Sequence, residues 1–401
     1  MKILKAYKYR IYPNKQQQEL LAKHFGCCRY IYNYALAKKI EHYTKEKKTL
    51  SRFEIQKDLV SMKSKKETEW LKEVNSQSLQ ASLVNLDQAY TKFFREKNEF
   101  PKFKSKHNKQ SCQFPQKSKV DFENNRLYLM KFREGIKCKF HRQFEGIIKT
   151  ITVSKTKTDK YFASILIEEN IPESKKEKPD INKSIGIDLG IKEFAVCSNG
   201  KSFENPKHLK KLLKKLKKKQ QRLSKKKKGS NRKNKQRKKI AKIYEKISNQ
   251  RNDFLHKVSR ELLDENQINT YCLETLNVKG MMKNHHLAQS IGDIGWSRFI
   301  SFLTYKAEWK GKNILRIGRF EPSSKTCNVC GKINNDLKLS DRDWVCSNCN
   351  TKHDRDFLAA CNIRDFAFDK QNLVGVGNPE STLVEMRSEE HTSELQSLLI
   401  I

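Results

Sequence analysis

The chain has 401 residues, with 84 Lys and Arg against 45 Asp and Glu, a formal charge of +39 and a pI near 9.8. That length allows two or three domains with a sizeable core, and a charge this high points to a polyanion as partner. No run approaches the ~20 apolar residues of a membrane span, and the start MKILKAYKYRIY, interrupted by Lys, has no signal-peptide apolar region. A soluble, cytoplasmic protein with no membrane partner is therefore expected. Of eleven Cys, four fall in paired spacing, which in a reducing compartment suggests a metal rather than disulfides.

In chain order, Leu4 to Tyr12 alternates basic and apolar residues and predicts a strand, ended by Pro13 and Asn14. A helix follows with Leu20, Leu21, Phe25, Tyr30, Ile31, Tyr34 and Leu36, interrupted near Gly26-Cys27-Cys28-Arg29. Adjacent Cys27 and Cys28 lack metal-pair spacing and read as small core residues. Over 75–96, Leu79, Leu83, Leu86, Tyr90 and Phe93 recur at spacings of four and three, an amphipathic helix that Asn75 or Ser76 can cap. Pro101 then breaks it. The loop around Lys102 and Lys104 interleaves aromatic and basic residues, a pattern suited to stacking and phosphate contact, although a plain surface loop reads as well. Residues 110–170 look β-rich, with strands at 126–129, 147–153 and 161–167, the last two forming a hairpin. The polar stretch 171–183, with two Pro, is a predicted linker.

The second half begins on Ile185-Gly186-Ile187-Asp188-Leu189-Gly190. An Asp in a short apolar strand must be paired, hydrogen-bonded or bound to a metal. Asn199-Gly200 predicts a two-residue hairpin turn. Three short strands (185–189, 193–198, 201–203) precede a helical stretch at 207–265. A strand at 269–273 ending on Glu274, a helix at 296–309, a strand at 313–317 and a helix from Asp356 follow. The order β-β-β-α-β-α-β-α is that of an RNase H-like α/β fold.

Residues 207–242 hold 20 Lys or Arg and no Asp or Glu. The break at 224–230 makes a helical hairpin, with apolar stripes of Leu209, Leu212, Leu213 and Leu216 on one arm and Ile240, Ile243, Ile247, Phe254 and Val258 on the other. A charge run is usually a solvated face. One without counter-charge repels itself unless a polyanion is near, so Lys225, Lys226, Lys227, Lys228, Arg232 and Lys233 are candidate nucleic-acid contacts.

Three acids end or open elements of this order: Asp188, Glu274 and Asp356. Converging, they would hold two divalent cations roughly 4 Å apart for phosphodiester cleavage, and hard oxygen ligands suit Mg²⁺. Asp354 is the alternative to Asp356. Cys327-x2-Cys330 and Cys346-x2-Cys349 have the spacing of two zinc knuckles, a closed and hence structural four-thiolate Zn²⁺ site. Gly331 suits the knuckle turn. His353 reads as a surface residue, with an outer role at the metal or a phosphate as the alternative.

Several pieces in one order resemble a known family: YKYRIYPNKQQQELL, LDQAYTKFFREKNEFPKFKSK, GIDLGIKEFAV, LETLNVKGM, the run from Trp296 through Tyr305-Lys306-Ala307, EPSSKTCNVCG and HDRDFLAACNI. They resemble TnpB, the OrfB-type transposon proteins related to type V CRISPR effector nucleases, over most of residues 1–365. The resemblance implies an RNA-guided DNA endonuclease encoded by a transposon, with a RuvC-type site at Asp188, Glu274 and Asp356 and a zinc ribbon on the four cysteines. Its partners would be a guide RNA derived from the transposon end and a target DNA, with the protein monomeric on RNA. The implied domains are a wedge strand (1–12), a helical, helix-turn-helix-like recognition region (13–100) and a β-rich wedge region (101–180). Then come the nuclease domain (183–322, with the basic hairpin at 207–260), the zinc ribbon (323–352) and the rest of the nuclease domain (353–386). Residues 387–401 resemble translated sequencing-adapter sequence, are left out of the predicted fold, and imply that the native C-terminus is missing.

The chain departs from the family at one place. The family's last acid sits in Asp-x-Asn-Ala-Ala, whereas here Leu358 replaces the Asn. An amide there would bond the helix start or orient the acid, so slow cutting or a high Mg²⁺ requirement is expected, with Leu358→Asn restoring rate. The alternatives are a weak or inactive RNA- and DNA-binding protein of the same fold (a repressor or relic) and a transposase accessory protein. A strand-joining transposase with a His-x-His metal motif is disfavoured, since His285 and His286 are adjacent.

Overall fold

The computed structural model describes residues 2–96, 98–107, 109–170, 176–338 and 340–373, so the tail at 387–401 and part of the predicted linker lie outside the described residues. The chain divides into two compact units, Met1–Glu173 and Ser174–Ile401. No helix among the described residues is long and apolar enough to cross a membrane.

The first unit runs β1 (Lys2–Tyr12), α1 (Lys15–Glu46), α2 (Arg52–Ser64), a 3-10 helix (Lys66–Glu73), α3 (Ser76–Glu96), β2 (Gln110–Phe114), β3 (Lys119–Asp121), β4 (Arg126–Leu129), β5 (Phe132–Lys139), β6 (Ile147–Lys155) and β7 (Tyr161–Asn170). The strands form one antiparallel sheet in the order β2-β6-β7-β1-β5-β4-β3. Alternation along β1 buries Tyr9 and Ile11 against Leu21, Phe25 and Ile31 of α1. The predicted interruption of α1 does not occur. Asn14 and Gln17 close a capping box at its start, Gly26 lies mid-helix in open space, and Cys27 and Cys28 are buried, their thiols pushed by burial to about 12 and about 11. Leu79, Leu83 and Leu86 of α3 are buried as predicted. Helix α2 was not predicted, although Ile55, Leu59 and Met62, spaced four and three, are its buried stripe.

The second unit runs β8 (Ser184–Asp188), β9 (Glu193–Cys197), β10 (Ser202–Glu204), α4 (His208–Ser224), α5 (Asn231–Leu263), β11 (Thr270–Glu274), α6 (Val278–Met281), α7 (His285–Ile294), α8 (Trp296–Trp309), β12 (Asn313–Ile317), β13 (Asp343–Val345), β14 (Lys352–Asp354) and α9 (Arg355–Leu373). Five strands form a mixed sheet, β10-β9-β8-β11-β12, in which β8, β11 and β12 are parallel and β9 and β10 antiparallel. The turn at Asn199-Gly200 differs from the two-residue expectation. The Cys197 N–H reaches Lys201 O at 2.8 Å and the Gly200 N–H reaches Cys197 O at 3.0 Å, so the loop has three residues, with Gly200 in the left-handed region at φ 83°.

Both faces of this sheet are covered, which explains why its strands read as apolar runs. Ile185, Ile187, Tyr271 and Leu273 face Leu255, Leu262, Phe299 and Leu303 of α5 and α8. On the opposite face lies α9, with Cys272 against Ile363 and Ala367. A Cβ on Gly186 would stand 1.9 Å from Ala360 O, so α9 rests on the bare backbone of β8. The basic stretch is a helical hairpin as predicted. Leu209 and Leu216 of α4 meet Ile240, Ile243 and Ile247 of α5 in a narrow apolar seam, and Gly229 in the turn has φ 85°.

Candidate active site and metal centre

The period of two along a strand decides which side chains meet. On β8, Ile185 and Ile187 point to the α5/α8 core, so Gly186 and Asp188 lie on the face that α9 covers. On β11, Tyr271 and Leu273 take the same core, which leaves Cys272 and Glu274 on the α9 face. Leu273 stands opposite Ile187 in the parallel ladder, so Asp188 and Glu274 end adjacent strands side by side. The C-terminal edge of parallel strands is where α/β sheets place their ligands. Helix α9 adds Asp356 in its first turn, where the helix dipole favours an anion.

The electrostatics record this convergence. Burial, and after it the charges of Asp356 and Glu274, push the Asp188 carboxyl up to about 7, and burial raises Glu274. Both are shifted toward the protonated form. Asp356 is held otherwise: Arg342 Nη1 donates to its Oδ1 and Oδ2, both at 2.9 Å. Asp354, the alternative acid, is occupied in capping α9, where its Oδ1 accepts from the Phe357 N–H at 2.8 Å. Among the described residues these acids do not form a cluster whose ligand atoms all lie within 4.8 Å of one another, as the four cysteines do; what links them is the effect of the Asp356 and Glu274 charges on Asp188.

The four cysteines come together as the spacing predicts. Their sulfurs all lie within 4.8 Å of one another, compared with about 3.8 Å between thiolates on a tetrahedral Zn²⁺ at ~2.3 Å. The two knuckles repeat one backbone pattern. The Cys327 N–H reaches Lys332 O and the Gly331 N–H reaches Cys327 O, while the Cys346 N–H reaches Thr351 O and the Asn350 N–H reaches Cys346 O, all at 2.9 Å. The fifth residue is left-handed in each, Gly331 at φ 75° and Asn350 at φ 55°, so the second knuckle uses Asn where the first uses Gly. This cluster could hold a structural metal such as zinc.

His353 is not on the surface. It is buried on β14 opposite Trp344 of β13, with Nε2 3.1 Å from Cys327 Sγ, the position of an outer hydrogen bond to a metal-binding sulfur. Leu358 also differs from the expectation. Its side chain is buried among Cys327, Trp344 and Cys346, in the core of the ribbon. The side-chain amide that ties α9 to this region is that of Asn362, whose Nδ2 donates to Ser323 O and Thr326 O at 2.6 Å. An Asn at 358 would place a polar group in an apolar cluster. Leu358→Asn is therefore expected to destabilise the ribbon by about 2–4 kcal/mol and to slow any cleavage; a thermal melt and a cleavage time course on the same preparation check both.

Of the predicted nucleic-acid contacts, Lys225, Lys227, Lys228 and Arg232 are exposed at the tip of the α4–α5 hairpin, and Lys226 and Lys233 are half-buried. The Lys233 ammonium donates to Lys226 O at 2.9 Å and so shapes the turn. Lys102 pairs with Glu99 at 2.6 Å. Lys104 is fixed to α1, with its ammonium 3.8 Å from the centre of the Tyr32 ring and its N–H on Asn33 Oδ1 at 2.8 Å. Sequence reasoning missed Arg342, because nothing in its local context separates it from other surface cations.

The chain matches three family models: "Probable transposase" of the OrfB/IS605 type over residues 146–285, "Helix-turn-helix domain" of the same type over 1–48, and "Cas12f1-like, TNB domain" over 296–363. Residues 1–48 themselves fold as one strand and one long helix; the turn and second helix follow them. Two relatives carry the name "Putative RNA-guided DNA endonuclease". One, from Streptomyces pristinaespiralis, is 35% identical over 363 residues, covering 90% of this chain and 89% of the relative. The other, InsQ of Escherichia coli (strain K12), is 32% identical over 381 residues, covering 90% and 93%. Among solved structures, the Cas12f1–sgRNA–target DNA complex matches with a TM-score of 0.54 at 16% identity, covering 90% of this chain and 99% of that one, a likeness of fold. With two relatives above 30% identity along nearly their whole length, the chain belongs to the TnpB family of OrfB-type transposon proteins.

Proposed function

We propose that this chain is an RNA-guided, Mg²⁺-dependent DNA endonuclease encoded by a transposon, cutting with Asp188, Glu274 and Asp356. The observation that carries this reading is that acids from three separate elements act on one another, the charges of Asp356 and Glu274 adding to burial to raise Asp188 to about 7. The sheet order β10-β9-β8-β11-β12, with α9 against β8, has the pattern of an RNase H-like fold and supports a RuvC-type assignment. The names of the relatives support RNA and DNA as partners, and the charge of +39 supports a polyanion.

A pair of Mg²⁺ ions on the acids would supply water activation and stabilisation of the leaving oxygen in phosphodiester cleavage. Asp188 and Glu274, fixed by the β8–β11 ladder, present oxygens from the sheet, and Asp356 presents its own from the helix opposite. The four cysteines hold a structural Zn²⁺. Residues 1–12 and 101–180 serve as the wedge and 13–100 as the recognition region, gripping a guide RNA from the transposon end and the target DNA, with one protein per RNA in the cytoplasm. The test is to purify the protein from its host, sequence the RNA it carries, and supply DNA matching that RNA with Mg²⁺. One discrete transposon-end RNA and cleavage at the matched site support the reading; absence of a discrete RNA overturns it.

The hairpin tip makes a separate prediction. Replacing Lys225 to Lys228 with Gln is expected to lower the slope of log affinity against log salt by roughly 3, since each phosphate neutralised contributes about 0.7–0.9. A salt titration of RNA binding measures it, and an unchanged slope would return the run to a solvated face.

A further inference from the structure

The guanidinium on Asp356 has a role that the nuclease reading leaves unused. Arg342 Nη1 lies 2.9 Å from both oxygens of that carboxylate, the approach a chelated cation would take. Among the described residues no other side chain donates a hydrogen bond to Asp188, Glu274 or Asp356. Arg342 is delivered there by the ribbon. It immediately precedes β13, whose Asp343 pairs with Asp354 of β14, and its carbonyl accepts from the Arg355 N–H at 2.7 Å. Its backbone is thus tied to the first residue of α9, one position from the acid it neutralises. A second ribbon contact reinforces the arrangement, with Arg355 Nη1 donating to Lys338 O at 3.3 Å.

We propose that Arg342 is a stand-in cation, a latch carried by the ribbon that occupies Asp356 until a divalent cation displaces it. Mg²⁺ requires close carboxylate oxygens, at about 2.0–2.1 Å, and a guanidinium whose Nη1 bonds both Asp356 oxygens stands in the approach such a cation needs. Two equal bonds to an ionised donor are stronger than a single neutral one, but the pair is partly open to water, with Arg342 47% and Asp356 26% exposed, so it is breakable. The latch offsets the charge of Asp356 alone, while Arg355 is the cation that acts on Asp188, and it raises the cation concentration at which Asp356 is taken up.

The inference rests on the nuclease reading, and the experiment separates the two. Mn²⁺ binding to the purified protein with its bound RNA is followed by electron paramagnetic resonance, and the class of sites lost in Asp188→Ala is taken as the acid site. In Arg342→Gln this class is expected to bind roughly 3- to 10-fold more tightly. Zinc content reports whether the ribbon is intact. If Arg342→Gln loses zinc, Arg342→Met, of similar length and apolar, decides. Unchanged or weaker Mn²⁺ binding in the zinc-replete variant overturns the latch and leaves the nuclease reading standing. Absence of any Asp188-dependent class overturns both.

Discussion

Asp188→Ala is expected to abolish Mg²⁺-dependent DNA cleavage while leaving RNA binding unchanged, and Glu274→Ala is expected to do the same. Loss of an outer partner at a metal site typically costs about 10–100-fold; loss of a direct oxygen ligand from a three-acid set should exceed that and bring cleavage below detection. The basic hairpin, built from other elements, keeps its charge. A cleavage assay paired with an RNA-binding titration reads both halves, and cleavage surviving in both variants would overturn the assignment of these acids. The raised Asp188 carboxyl adds a pH signature. Its value moves from 3.8 to about 7 on folding, so the folded state holds a proton that the unfolded chain has already released. Stability contributed by that proton is present at low pH and is lost as pH rises from about 4 through 7. The metal-free protein should therefore melt lower at pH 8 than at pH 6, and Asp188→Asn should flatten the difference. Cation binding runs the other way, strengthening as pH rises through 7 and the carboxylate ionises.

Serine at Cys327 and Cys346 is expected to release one zinc per chain and to unfold the ribbon. Among the described residues the segment between β12 and α9 has two three-residue strands and a small apolar core of Cys327, Trp344 and Cys346 closed by Leu358 of α9, too little to stand without metal. Structural zinc sites of this kind contribute about 10–16 kcal/mol of apparent binding free energy, so the loss is all or none. The damage should spread to cleavage, because β14 runs directly into α9 and Asp356. Metal analysis of the reduced protein, with the double variant beside it, checks the stoichiometry. Zinc retained by the variant, or absent from the parent protein, would refute the site.

What the sequence made legible was whatever depends on period and order. The parallel strands 184–188 and 270–274, their terminal acids, the basic hairpin and its break near Gly229, and both knuckles follow from patterns local to a few residues. The features it hid depend on partners far away in the chain. Leu358 reads as a flaw beside Asp356 until Cys327 and Trp344 are seen to surround it. His353 reads as a surface histidine until β13 brings Trp344 across from it. Arg342 is one of 84 cations until the β13–β14 ladder sets it against an acid fourteen residues on. Helix α2 was missed for a different reason: its Ile55–Leu59–Met62 stripe is narrow, and charged neighbours dilute the period.

The contact at Gly186 reaches further. Because α9 lies on the bare backbone of β8, the spacing between the sheet acids and Asp356 is fixed by touching main chains and by the absence of one methyl group. The hairpin between β10 and β11 takes no part in this contact, whereas the ribbon between β12 and α9 holds the start of α9 through Arg342. The hairpin is therefore free to lengthen or shrink while β8 and α9 stay in register. Change in the basic surface is thus uncoupled from the packing of α9 on β8, provided position 186 remains glycine.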